Sequence, residues 1–171
     1  MIKYATRLPP GKPVELLDNG NVLKTVTAIS DIYMGLIESL LERIINEKPS
    51  HVVPVYSYKI LDSKHYQYEM MRCGILTPSE RELINTVGNL HDRHGVLACE
   101  QDMYDLHFYG KQHPKLLDFL KMIVTTDRYW DIHSGNILMN EDREYCLIDL
   151  EGFIKAPIEL HNDWIITNGN Y

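Results

Sequence analysis

The stretch Asp131-Ile132-His133-Ser134-Gly135-Asn136-Ile137-Leu138 decides how this sequence is interpreted. After it come a polar turn and a second short apolar segment that ends at Asp149. A hairpin of this kind predicts that Asn136 and Asp149 lie side by side at one edge of a cleft. An amide oxygen and a carboxylate are hard ligands suited to Mg²⁺, which proteins usually hold together with substrate phosphates. Asp131 would then orient or deprotonate an attacking hydroxyl group.

Composition and charge narrow the possible classes of protein. The chain has 171 residues and 44% apolar composition, enough for one compact domain or two small lobes. A net charge of −7 argues against a protein that coats nucleic acid. No secretory leader and no apolar run long enough to span a bilayer are found, so no membrane partner is expected. The three cysteines, Cys73, Cys99 and Cys146, are unclustered and predict buried thiols in a reducing cytosol.

The first part of the chain is predicted to hold strands around one helix. The helix begins after Ser30 and Asp31, which are good N-cap residues, and ends before Pro49. Its apolar stripe consists of Ile37, Leu40, Leu41, Ile44 and Ile45. Asn19-Gly20 predicts a tight hairpin because this dipeptide supplies positive φ angles. The predicted strands are Ile2–Leu8, Val14–Asp18, Val22–Thr27, Val52–Ile60 and Lys64–Met71.

The second part is predicted to be mainly helical. Thr77-Pro78-Ser79-Glu80 is a capping box with proline at the first helical position, and Gly95 is the expected end of that helix. No element is predicted between Gly95 and Gly110. The later predicted elements are a helix, Pro114–Thr125, and the strands Asn136–Met139 and Tyr145–Leu150. The change of character near residue 72 predicts a strand-rich lobe over residues 1–71 and a helical lobe over 72–171.

The segment around Asp131 resembles the catalytic loop of the protein-kinase-like superfamily, in the D-x-H-x-x-N form of aminoglycoside kinases, choline kinases and atypical protein kinases. Leu147-Ile148-Asp149-Leu150-Glu151-Gly152 resembles the metal-binding D-F-G region, with Leu-Glu in place of the phenylalanine. The wording D-x-H-S-G-N-I is most similar to the early host-modifying serine/threonine kinases of podophages. Because few residues follow Asp149, the resemblance implies an α+β, minimal two-lobed kinase-like fold with a truncated C-terminal lobe.

The resemblance also implies a phosphate-binding lysine with an acidic partner. Val22-Leu23-Lys24 is similar to the V-x-K strand of kinases, so Lys24 would hold the α- and β-phosphates of ATP. Its partner would be a glutamate of the first helix, either Glu38 or Glu42, which lie one turn apart. Glu38 is preferred because Leu41 and Ile45 follow it at the spacing of a core-facing position.

The remaining roles follow from the same resemblance. Tyr68-Glu69-Met70-Met71 would be the hinge, so that Glu69 and Met71 contact adenine. Asp131, Asn136 and Asp149 form the expected catalytic set, with Asn136 and Asp149 as the Mg²⁺ ligands. His133 is expected to be structural and to hydrogen-bond backbone. The implied partners are ATP and a host protein that is phosphorylated on serine or threonine in the cytoplasm, and no nucleic acid.

Two departures from the kinase pattern leave alternatives open. The glycine-rich phosphate loop is absent, and its place is taken by Leu8-Pro9-Pro10-Gly11-Lys12-Pro13, whose three prolines cannot donate backbone hydrogen bonds. The truncated lobe also lacks the helices that would dock a peptide. One alternative is therefore a pseudokinase-like protein that binds and redirects a partner without phosphoryl transfer. A further alternative is a small-molecule kinase.

Overall fold

The computed structural model describes residues 14–28, 31–92 and 100–154, and gives no side-chain environment for Asp31 and Ile32. The predicted strand Ile2–Leu8, the loop that carries Lys12, Gly95 and Cys99 lie outside these ranges. Within them the chain forms a four-stranded sheet, a two-stranded sheet and four α-helices, which confirms the α+β class. No helix in the described ranges is long and apolar enough to cross a membrane.

The elements follow one another along the chain in an order close to the predicted one. They are β1 (Val14–Leu16), β2 (Val22–Thr27), α1 (Asp31–Glu47), β3 (Val55–Ile60), β4 (His65–Met70), α2 (Pro78–Asp92), α3 (Glu100–Gln112), α4 (Pro114–Thr125), β5 (Ile137–Met139), β6 (Tyr145–Leu147) and a 3₁₀ turn (Leu150–Phe153).

The chain divides into two compact units. The first comprises the described residues up to Ile75 together with Leu138–Leu150, and the second comprises Leu76–Ile137 together with the residues from Glu151 onward. The segment Leu138–Leu150 belongs to the first unit because β6 is hydrogen-bonded to it. The Val53 amide donates to the Leu147 carbonyl at 2.9 Å, and the Leu147 amide donates to the His51 carbonyl at 3.0 Å.

The main sheet of the first unit is antiparallel, with the strand order β1-β2-β4-β3. Its register places Lys24 of β2 and Tyr58 of β3 on either side of Tyr68 of β4, so the three side chains lie on one face. The predicted hairpin between β1 and β2 is confirmed. Of the Asn19-Gly20 pair, however, only Gly20 has a positive φ, at 86°.

Helix α1 packs on β3 through part of its predicted stripe. Ile37 and Leu41 are fully buried and Ile44 is 4% exposed. The same unit contains Cys73 and Cys146, which are distant in sequence but whose Sγ atoms lie 3.6 Å apart. Both thiols are free and buried, as the sequence predicts.

The second unit is built from α2, α3 and α4, which pack against one another. The capping box at the start of α2 is confirmed, since the Thr77 amide donates to the Glu80 carboxylate at 2.8 Å. Helix α3 was not predicted because its sequence has no continuous apolar stripe. Met103, Tyr104 and Phe108 are among the exposed large apolar side chains. Gly110 lies inside α3, where a side chain would press on Leu117 of α4.

Candidate active site

A buried ion pair joins Lys24, in the middle of β2, to Asp149, two residues after β6. The Lys24 Nζ atom lies 3.3 Å from Asp149 Oδ1, and the two side chains are only 11% and 17% exposed. The two residues stand near opposite ends of the described sequence, so the fold alone brings them together. Both were singled out from the sequence, Lys24 as the phosphate anchor and Asp149 as the metal ligand.

Tyr68 lies beside both members of this pair. The register between β2 and β4 sets Tyr68 directly across from Lys24, and the Lys24 ammonium lies 5.8 Å from the centroid of the Tyr68 ring. A cation at this distance from an aromatic ring is attracted to its face. The Tyr68 hydroxyl donates to the Ile148 carbonyl at 3.2 Å, immediately before Asp149. Tyr68 is 1% exposed, so it forms a rigid support for the pair.

The Lys24–Asp149 pair is hard to explain as a device for stability. Removing an ammonium and a carboxylate from water costs several kcal/mol per ion, and their attraction offsets this cost only when the geometry is very good. Well-packed apolar residues in the same place are often equally or more stabilising. A buried lysine can instead bind a phosphate as a point charge. A buried aspartate can ligate a divalent cation that neutralises that phosphate.

The predicted pair between Lys24 and a glutamate of α1 is not formed in this structure. The acidic partner of Lys24 in the described part of the chain is Asp149. Glu42 and Glu38 instead accept from the Tyr58 hydroxyl, at 3.0 Å and 3.4 Å. Because β4 lies between β2 and β3, Tyr58 stands two strands, or about 10 Å, from Lys24. Partial burial and the Glu42 carboxylate raise the pKa of Tyr58 to about 12.

The predicted hinge residues lie at the end of β4. The Glu69 carboxylate accepts from Asn21 Nδ2 at 2.6 Å, Asn19 Nδ2 at 2.9 Å and Ser57 Oγ at 3.4 Å. These hydrogen bonds, that of Asn21 first, lower the pKa of Glu69. Since side chains alternate along a strand, this carboxylate lies on the sheet face opposite to Lys24. Any contact of Glu69 with adenine would therefore come from its backbone.

Met71 follows β4 directly. Its amide donates to the Pro54 carbonyl at 2.9 Å, and its own carbonyl accepts from Cys73 Sγ at 3.7 Å. Its backbone groups therefore join β4 to neighbouring segments of the first unit. The predicted adenine-binding residues therefore lie at the end of β4.

In the second unit, the loop after α4 brings Asp131, His133 and Asn136 together. Asn136 Nδ2 donates both to the Asp131 carbonyl at 3.0 Å and to Asp131 Oδ2 at 2.9 Å. His133 Nε2 lies 3.7 Å from the same Oδ2 atom. The Gly135 amide donates to His133 Nδ1 at 3.0 Å, which confirms the predicted hydrogen bond between His133 and backbone.

The position of this loop depends on α2, a contribution that sequence reasoning missed. Asn85 Oδ1 accepts from the Ser134 amide at 2.9 Å. A side chain at Gly88 would collide with the Ile132 carbonyl, so α2 and the loop approach one another at backbone distance. The signal for this approach is in the sequence, since an isolated glycine inside a helix is unfavourable and often marks a close backbone contact.

The other end of the loop is anchored to the 3₁₀ turn. Trp130 donates from its amide to the Gly152 carbonyl at 3.1 Å and from its ring Nε1 to the Ile154 carbonyl at 2.8 Å. Gly152 is needed because a side chain there would overlap the ring of Tyr129, which is fully buried. Contacts on both sides of Asp131 therefore restrain the loop.

The chemistry of Asn136 suits a divalent cation. Asn136 Nδ2 donates its hydrogens to Asp131, so the Oδ1 atom of Asn136 lies on the other side of the amide group. In the part of the chain that the structure describes, no group of three histidine, cysteine, aspartate or glutamate side chains could hold a metal. Mg²⁺ sites that include substrate phosphates need few protein ligands, so an amide oxygen such as that of Asn136 is a suitable ligand.

Comparisons with solved structures find chains of similar fold. No protein-family model and no curated protein match the sequence. The structure is similar to that of an aminoglycoside phosphotransferase from Alicyclobacillus acidocaldarius, with a TM-score of 0.41 and 11% sequence identity over 87% of this chain. The match spans 64% of the length of that enzyme.

Proposed function

We propose that this protein is an ATP- and Mg²⁺-dependent phosphotransferase. The observation that supports this function best is the buried ion pair between Lys24 and Asp149. A cation and an anion that share a buried position are expensive to maintain, and each has a separate role in binding a metal-bound triphosphate.

The residues take the following roles in the proposed reaction. As the kinase resemblance implies, Lys24 would bind the α- and β-phosphates, and Asn136 and Asp149 would hold Mg²⁺, which would neutralise charge on the phosphates. Asp131 orients the acceptor hydroxyl and receives its proton. The acceptor oxygen forms a bond to the γ-phosphorus, and the bond from this phosphorus to the bridging oxygen breaks with its electron pair left on ADP. Since such reactions depend mainly on positioning and charge stabilisation, rigid support of these side chains is what the fold must supply.

Nucleotide binding would extend the site along the first unit. Glu69 and Met71 would contact adenine through backbone groups, as the kinase resemblance implies. Glu38 would pair with Lys24 only after leaving the Tyr58 hydroxyl, so this pairing stays a prediction for the nucleotide-bound protein. The acceptor that we propose is a serine or threonine hydroxyl of a host protein, and it follows from the resemblance of the loop around Asp131 to the phage kinases.

The test uses the full chain with γ-³²P-labelled ATP and Mg²⁺. Three acceptor mixtures are compared: an unfractionated bacterial lysate, its dialysed protein fraction, and a panel of aminoglycosides. The variants are Asp131→Asn and Asp149→Asn, which keep side-chain size and remove the charge. Asp118→Asn, on the exposed surface of α4, is the matched control.

Each outcome has a distinct meaning. Label that enters the dialysed protein fraction with wild type and Asp118→Asn, but not with the other two variants, supports a protein kinase. Label that enters only small molecules supports the small-molecule kinase. If Mg·ATP at 100 times its dissociation constant stabilises the protein by about 2.7 kcal/mol while no mixture is labelled, the protein binds without transfer. A melting temperature that ATP and Mg²⁺ do not change contradicts nucleotide binding altogether.

A further inference from the structure

The imidazole of His133 is held in one tautomer by the backbone. The Gly135 amide donates to Nδ1 at 3.0 Å, so Nδ1 carries a lone pair and the single hydrogen of the neutral ring is on Nε2. Nε2 faces Asp131 Oδ2 at 3.7 Å. One ring nitrogen is therefore fixed by the loop backbone while the other presents an N–H group to the candidate catalytic carboxylate.

Gly135 makes room for this ring. A side chain at residue 135 would place its Cβ 2.9 Å from both Cε1 and Nδ1 of His133, closer than such atoms approach. Among the glycines in the described ranges, only Gly20 has a positive φ, so the backbone at Gly135 does not itself require glycine. The sequence suggested that Gly135 allows a tight turn. The structure indicates instead that its missing side chain lets the imidazole lie against the loop.

Two N–H groups converge on one oxygen of Asp131. Asn136 Nδ2 donates to Oδ2 at 2.9 Å, and His133 Nε2 faces the same atom. Each additional donor at this oxygen restricts rotation of the carboxylate about its Cβ–Cγ bond. The His133 and Asp131 side chains are 48% and 36% exposed, so water competes at this position. Because the hydrogen is already on Nε2, the ring does not have to change its tautomer before it donates to Asp131.

We propose that His133 is a positioning residue for Asp131, holding the carboxylate through Nε2–H in the orientation from which it meets the acceptor hydroxyl. This role rests on the proposed function, since it concerns the residue that receives the acceptor proton. The separation of 3.7 Å is longer than a hydrogen bond. The proposed role requires that it shorten when the acceptor binds, as catalytic contacts commonly do. A purely structural histidine would need only the bond from Gly135.

Two substitutions at His133 separate the positioning role from a structural one. The side-chain oxygen of His133→Asn reproduces the Nδ1 acceptor, whereas the side-chain nitrogen of His133→Gln reproduces the Nε2 donor. Positioning predicts that kcat falls roughly tenfold or more in His133→Asn and no more than about threefold in His133→Gln, with an unchanged KM for ATP. The same substitutions at His107, exposed on α3, are the matched control. Equal losses in both His133 variants, or a larger loss in His133→Gln, would overturn the proposal.

Gly135→Ala tests whether the ring acts from its observed place. It should lower kcat about as much as His133→Asn, because the added methyl group displaces the imidazole. In a chain that already carries His133→Ala, Gly135→Ala should have no further effect on kcat, since both substitutions remove the same contact between the imidazole and Asp131. Fully additive losses would show that Gly135 acts independently of His133 and would contradict the proposal.

One measurement does not depend on activity. The ¹⁵N shifts of the His133 ring at alkaline pH should report hydrogen on Nε2 and a bare Nδ1 in the wild type. A ring with its hydrogen on Nδ1, or a mixture of tautomers, overturns the positioning role even if the enzyme is active. Absence of phosphoryl transfer by the wild type to every acceptor mixture overturns the proposed function, and with it the role of His133. An active wild type with indifferent His133 variants overturns the positioning role alone.

Discussion

Replacing Asp149 by alanine should destabilise the protein substantially, because it leaves the Lys24 ammonium without its partner in a place where the lysine side chain is 11% exposed. Removing one member of a fully buried pair costs about 3–5 kcal/mol. The remaining exposure of the two side chains lets some water reach the lysine, so we expect about 2–3 kcal/mol. In a chain of this size that loss lowers the melting temperature by roughly 5–10 °C.

The double variant Lys24→Met with Asp149→Leu separates stability from function. Since apolar residues of similar volume can replace a buried ion pair at little cost, its free energy of unfolding should lie within about 1 kcal/mol of the wild type. Its phosphotransferase activity should nevertheless be lost completely. Urea unfolding of wild type, both single variants and the double variant gives the coupling energy of the pair directly.

An exposed ion pair of the same protein is the control. Arg43 and Glu47 of α1 lie 3.5 Å apart with side chains 68% and 63% exposed, so Glu47→Ala should cost at most about 0.5 kcal/mol. If Asp149→Ala costs no more than this, the Lys24–Asp149 pair is not formed in solution. If the double variant loses as much stability as the two single variants together, the coupling energy is zero and Lys24 and Asp149 do not interact in solution.

Three further substitutions probe the frame around the site. Gly88→Ala should lower stability by about 1–3 kcal/mol because its methyl group meets the backbone of the loop at Ile132. Gly35→Ala on α1, with open space around it, should instead raise stability by about 0.5–1 kcal/mol. Thermal unfolding of the two variants measures both effects. The pKa of Tyr58 is raised from 10.0 to about 12, so the stability that its hydroxyl supplies is complete below pH 10 and is lost as pH rises towards 12. The difference in unfolding free energy between wild type and Tyr58→Phe should therefore be smaller at pH 11 than at pH 9. An equal difference at both pH values would contradict this pKa. Cys73 and Cys146 are both buried, and the hydrogen bond between their thiols raises the pKa of Cys146. We therefore expect that neither thiol reacts with a thiol reagent at pH 8 until denaturant is added. Rapid reaction in the native protein would refute their burial.

Local signals predicted most of the elements. The capping box at Thr77, the proline at Pro114 and the hairpin at Gly20 depend on neighbours a few residues away, and each is found as expected. Helix α3 was missed because its apolar residues do not form a continuous stripe, and Tyr104 is 61% exposed. Its place in the bundle is decided by packing on α2 and α4, which no local pattern records.

The residues of the candidate site were likewise predicted from local signals, but not all of their contacts were. The sequence by itself identified Lys24, Asp131, Asn136 and Asp149, because oxygen ligands, a lysine in a strand and a glycine-containing loop have chemistry that can be recognised one segment at a time. It could also predict that Asp131 and Asn136 lie close together, since they share one short loop.

Only the tertiary structure decided which groups meet across the chain. From the sequence the partner of Lys24 was expected on α1, but strand register turns Lys24 towards Tyr68 and Asp149. The helix glutamates accept instead from the hydroxyl of Tyr58, a residue two strands from Lys24. Likewise a side chain at Gly135 would meet the His133 ring, whereas the turn itself requires no positive φ there. Pairing between distant residues depends on register and on the space left by neighbouring side chains. Neither quantity exists before the chain has folded.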